Sequence, residues 1–159
     1  MITEKNIEAA ADKFDRSEKA FEQAALSFEQ KQPVLHAYLL SEHFDLFTEE
    51  EKDYAHYLLM VAWQAILDAG LQAAQVDEGR LANAEEHNWA LFQQGPDAPF
   101  RRKLDIFYEK TKEEDLLAFL EDAFTEEVED DDELPFTREG RDALFITVKS
   151  MVDSLLEGM

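Results

Sequence analysis

In a chain without cysteine, chemistry falls to histidines, carboxylates and hydroxyls. Thiolate nucleophiles, disulfides and Cys-ligated zinc or iron–sulfur centres are excluded at once. Four histidines are present: His36, His43, His56 and His87. A di-iron bundle needs two Glu-x-x-His motifs and two further inward-facing glutamates, and no Glu-x-x-His occurs. The nearest pattern is Asp53-Tyr54-Ala55-His56. It puts a carboxylate and an imidazole at i and i+3 on one helix face. Asp53 and His56 are therefore the metal-ligand candidates, with His36 or His43, a heptad apart, as supplements. The ordinary alternative is a half-buried histidine hydrogen-bonded to its surroundings.

The carboxylates say less. With 37 acidic residues, pairs are inevitable and carry no signal for acid–base catalysis. Such catalysis needs an apolar cleft that shifts a pKa, and the acidic residues here fall mostly on polar faces. Ser17, Ser27, Ser41, Ser150 and Ser154 lie in helical contexts, none inside a Gly-x-Ser-x-Gly elbow. There is no Gly-rich phosphate loop or dinucleotide fingerprint. Asp130-Asp131-Asp132 lacks the glycine that a calcium loop requires at its sixth position. No motif names an enzyme, and no cofactor is indicated.

Charge is the strongest compositional feature. The formal net charge is −22 and the pI about 4.3. Such a chain repels nucleic acid and anionic membranes and attracts basic proteins. Solubility alone is the commoner meaning of an acidic surface. The stretch from Leu104 to Leu134 is the most acidic, and Asp130, Asp131 and Asp132 lie in its unbroken acidic run from Glu129 to Glu133, a docking candidate for a basic partner. Arg101-Arg102-Lys103 is the one dense basic cluster. It lies near a helix start, where the dipole disfavours cations, so acidic neighbours or a small anion are expected there.

The elements that position these residues read as helices. Ile7, Phe14, Phe21 and Phe28 repeat every seven residues in a segment, Thr3 to Gln30, free of Gly and Pro. That predicts one amphipathic helix about 42 Å long. Its aromatic seam must be covered either by helices of the same chain or by a second copy in a homodimer. Pro33 opens a second helix running to about Phe44. Thr48-Glu49-Glu50-Glu51 is a capping box for a third, whose Tyr54–Leu67 stretch is apolar nearly all round and reads as the most buried. Gly70 stops it. Asp77 caps a further helix, 95–99 is a loop, and a short helix follows from Phe100 to about Lys110. Thr111-Lys112-Glu113-Glu114 reads as a second capping box, and the last helix starts at Thr137. Leu59, Trp63 and Ile66 on the third helix, and Phe145, Val148 and Val152 on the last, are predicted core.

The expected architecture is one all-α domain over residues 1–159, a compact bundle of six or seven helices with a long N-terminal helix. With no basic region followed by an apolar run at the N-terminus, and no apolar run beyond fourteen residues, a soluble cytoplasmic protein is expected. The function class favoured is a non-enzymatic interaction protein: an adaptor, regulator or inhibitor of a basic partner. Its partner-binding candidates are Asp130, Asp131 and Asp132 with Phe14, Phe21 and Phe28. The alternatives are a metal-binding bundle enzyme using Asp53 and His56, and a structural homo-oligomer.

Overall fold

In a computed structural model, residues 1–94, 98–125 and 135–157 are described. Among them all regular structure is helical. The helices are α1 (Glu4–Arg16), α2 (Glu18–Lys31), α3 (Pro33–Leu39), α4 (Glu49–Asp68), α5 (Glu78–Phe92), α6 (Phe100–Lys103), α7 (Asp105–Lys110), α8 (Glu114–Thr125) and α9 (Arg138–Leu156), with a 3-10 turn at Glu42–Leu46. The layers run α1 and α2, then α4, then α9, then α5, and α8 lies against both α1 and α9. No helix among the described residues is long and apolar enough to cross a membrane.

The N-terminal helix is met in extent but not in continuity. It breaks at Ser17, whose backbone is extended (φ −146°, ψ 106°). Ser17 ends α1 and also caps α2, its hydroxyl accepting from the Ala20 amide at 3.1 Å. The break lets both halves pack on α4. Phe14 and Phe28 are buried, and Phe21 packs half-buried against the same core. Phe14 meets Phe21 edge-on at 5.4 Å, and Phe28 meets Trp63 of α4 at the same separation. Helices of the same chain therefore cover the seam, and Phe14 and Phe28 are core side chains, not a surface for a partner.

Helix α4 is the centre, as its all-round apolarity predicts. Leu59, Met60, Val61, Ala62, Ala65 and Ile66 are fully enclosed. Its capping box forms: the Glu51 amide donates to the Thr48 hydroxyl at 3.0 Å and the Thr48 amide to the Glu51 carboxylate at 2.9 Å. At the other end Gly70 takes a left-handed conformation (φ 78°). The Leu71 and Gly70 amides then return to the Ile66 and Leu67 carbonyls, a Schellman stop. A second aromatic core gathers around Phe145 of α9, whose ring lies 5.4 Å from Phe100, 5.8 Å from Phe124 and 6.2 Å from Phe107. Val148 and Val152 are buried with it.

Glu51 also ties α4 to α9. Its second carboxylate oxygen accepts from the Thr137 amide at 2.9 Å and the Thr137 hydroxyl at 3.0 Å. Thr137 in turn caps α9 by accepting from Gly140. One buried carboxylate thus serves two helix N-termini, where negative charge is favoured. Burial works to raise its pKa, but the hydrogen bonds from Thr48 and Thr137 override it and hold the carboxyl below its usual range.

Three local expectations are corrected. The second helix stops at Leu39, and a 3-10 turn carries His43. The short helix after 99 is broken into α6 and α7 at Leu104. Thr111 does not open α8: its hydroxyl accepts from the amide of Glu113, only two residues on, at 3.0 Å. Glu113 instead takes the Ile2 amide at 2.9 Å, and Asp115 the Glu4 amide at 3.2 Å. The first turn of α8 thereby fastens the start of α1.

Candidate functional site

The structure does not assemble Asp53 and His56 into a metal centre. Asp53 is exposed, while His56 is half-buried with its ring edge-on to Phe21 at 5.3 Å. Burial, with nearby His36, lowers the His56 pKa, against a smaller opposing pull from Asp53. The imidazole is thus kept neutral by an apolar setting. His36 lies 3.7 Å from Glu29. His43 is on the 3-10 turn, away from His36's helix, and its Nε2 hydrogen-bonds the Thr147 hydroxyl at 3.0 Å. Among the described residues no group of three or more His, Asp or Glu is arranged to hold a metal ion.

The basic cluster makes two contacts among the described residues. Arg101 donates to the Thr125 hydroxyl at 2.9 Å and Lys103 sits 4.8 Å from the centre of the Phe92 ring. Among the described residues none of the three basic side chains of α6 forms an ion pair. Asp130, Asp131 and Asp132 lie outside the described residues.

What sequence reasoning missed is a polar seam between α5 and α9. Thr147, Lys149, Ser150 and Ser154 of α9 are all buried, and so is Asn88 of α5. The Asn88 amide donates to the Ser150 hydroxyl at 3.0 Å and to Asp153 at 2.9 Å. Lys149 closes the network on Asp153 at 2.6 Å and on the Asn88 carbonyl at 3.3 Å, with its ammonium 4.5 Å from the centre of the Phe107 ring. One turn earlier, the half-buried Tyr38 hydroxyl lies near Glu85 and Thr147. Burial, then the adjacent Glu85, push the Tyr38 hydroxyl well above its usual range, so it stays a donor. The signal was present: Thr147, Ser150 and Ser154 recur at helical spacing, opposite the apolar stripe that dominated the reading.

The seam's hydroxyls are committed. Ser154 donates to the Met151 carbonyl at 2.6 Å and Ser150 accepts from Asn88. The arrangement clamps α5 on α9, since each buried polar group finds a partner. It also divides two depressions. One is a groove of about 570 Å³ between α3 and α5, lined by the apolar Pro33, Val34, Ala37 and Leu81 and by the carboxylates Glu78 and Glu85. The other is a cleft of about 690 Å³ on the opposite side of α5, with the Lys149–Asp153–Asn88 network in its lining.

Comparison of the chain with models of protein families, with characterised proteins and with solved structures finds no match.

Proposed function

We propose that this chain is a non-enzymatic interaction protein that docks a basic segment of a partner protein in the groove between α3 and α5. The observation that carries the reading is the groove's lining: apolar side chains with two carboxylates and, among the described residues, no Lys or Arg. A partner side chain such as Leu or Phe would pack on the apolar side chains, and flanking Lys or Arg would meet Glu78 and Glu85. The net charge of −22 steers such a partner toward the surface, and Asp130, Asp131 and Asp132 add to that field. The internal use of Phe14 and Phe28 supports a charge-led mode of binding, because it removes the largest apolar stripe from the surface.

The test is capture of partners from native lysate by the wild-type chain, by Val34→Glu and by an Asp130/Asp131/Asp132→Asn variant, each at low and high salt. The reading predicts partners of high pI that are lost with Val34→Glu, weakened by the Asn substitutions and released by salt. Partners indifferent to all three changes contradict it.

A further inference from the structure

We infer that the cleft between α5, α7 and the C-terminal half of α9 is a binding site for a small monocarboxylate with an apolar body. The walls are apolar where Leu91, Phe107 and Leu156 line them, and the volume of about 690 Å³ lies in the range of small-molecule sites. Asn88 and Lys149, both more than nine-tenths buried, form a fixed polar lining.

The sign of the ligand follows from charge already committed. Three carboxylates border the cleft: Glu113, Asp153 and Glu157. Asp153 is held by Lys149 and Asn88. Glu113 accepts from the Ile2 amide, and Glu157 pairs with Arg80 at 3.0 Å. Lys110 and Lys112 also line the cleft, and among the described residues neither has a hydrogen-bond or ion-pair partner. Glu113 keeps its charge, since its donor is a neutral amide, so the unpaired charge of the described lining is two ammoniums against one carboxylate, net positive in a chain whose net charge is −22. A neutral apolar ligand would gain nothing from these two hydrated ammoniums, and an amine would be repelled by them.

The same global charge limits the ligand to one negative charge. Each added charge meets repulsion from the rest of the surface, which is screened only beyond about 8 Å at physiological salt. Lysines are flexible point donors without the planar fork that suits phosphate. A carboxylate at Lys110 and Lys112, with its hydrocarbon against Leu91, Phe107 and Leu156, satisfies both parts of the lining. The site is separate from the α3/α5 groove and does not depend on the partner reading.

The experiment is calorimetric titration of the whole chain with decanoate below its aggregation concentration. Decanol supplies the body without the charge, and acetate the charge without the body. Decanoate is expected to bind at least ten-fold more tightly than either, and more weakly as salt rises. Both lysines are exposed, so Lys110→Ala/Lys112→Ala keeps the fold and should bring decanoate to the affinity of decanol. Leu91→Ala, checked for folding by circular dichroism, should weaken decanoate and decanol alike. No heat with decanoate, or equal affinity for decanoate and decanol, overturns the proposal. So does decanoate binding unchanged in the double lysine variant.

Discussion

Glu51 shows how one side chain can do two structural jobs and leave half of the work visible in the sequence. The spacing Thr48 to Glu51 reads as a capping box, and that box forms. The bonds to Thr137 span 86 positions and have no local signature. Glu51→Gln keeps the volume but puts an amide NH2 where a donor must be accepted. It should cost about 2–4 kcal/mol at neutral pH, measured by urea unfolding. Its folded pKa is depressed, so the carboxylate's contribution is complete above the ordinary value of 4.5 and fades as pH falls through the folded value. The gap between wild type and Glu51→Gln should therefore close in acid, and a gap that stays constant would show that ionisation is irrelevant. His56 shifts in the same direction for the opposite reason, because burial disfavours its charged form. Its folded pKa lies below 6.5, so the unfolded chain binds a proton that the folded chain does not. Stability is complete above about 6.5 and declines as pH drops through that value. Between pH 7.5 and 5.5 wild type should lose more stability than His56→Gln, and parallel pH profiles would refute the buried-neutral assignment. The Asp53/His56 spacing was legible, but helical spacing says nothing of how far Asp53 stands out in solvent.

At the scale of elements, caps and periodicity located most helices, and failures came where tertiary contacts chose between local options. A serine inside a long amphipathic stretch is tolerated or is a cap, and only the need to seat both Phe14 and Phe28 against α4 decides for the break at Ser17. Ser17→Ala should cost about 1 kcal/mol through the lost α2 cap, whereas an unchanged unfolding midpoint would mean the break is held by packing alone. Thr111 met the pattern of a cap, but its hydroxyl takes the Glu113 amide, and the Glu113 carboxylate is drawn to the distant Ile2 amide. The α4–α9 junction gives a sharper test. A methyl group at Gly140 would run into the Glu51 carboxylate and come within 2.8 Å of the Thr137 hydroxyl. Alanine is the better helix former by about 1 kcal/mol, yet Gly140→Ala should destabilise by about 1–3 kcal/mol through overpacking. A stabilised variant would mean that the junction is looser than its hydrogen bonds indicate. The α5–α9 seam was hidden for a related reason. Serine and threonine on a helix read as surface until other elements bring Asn88 to Ser150 and His43 to Thr147.

For the whole molecule, the all-α class was legible because no segment alternates with period two and the apolar stripes run at helical spacing. The destination of the aromatic seam was not, since a stripe of Phe is equally suited to a neighbouring helix or a second copy. The structure buries Phe28 beside Trp63. Phe28→Ala should then cost about 3–5 kcal/mol, seen as a lower unfolding midpoint without concentration dependence. Loss of an assembly with stability intact would return the seam to an interface. With the seam used internally, the proposed docking of a basic partner segment rests on charge and on the α3/α5 groove. The chain's lack of cysteine makes a direct measurement possible. A single thiol is installed at Val34→Cys in the groove, or at Glu8→Cys on the exposed side of α1, and loaded with a cleavable crosslinker in native lysate. The account predicts that the groove thiol traps basic proteins in a salt-sensitive manner and that the α1 thiol does not. Equal trapping from both positions, or trapping of acidic proteins at the groove, would contradict it.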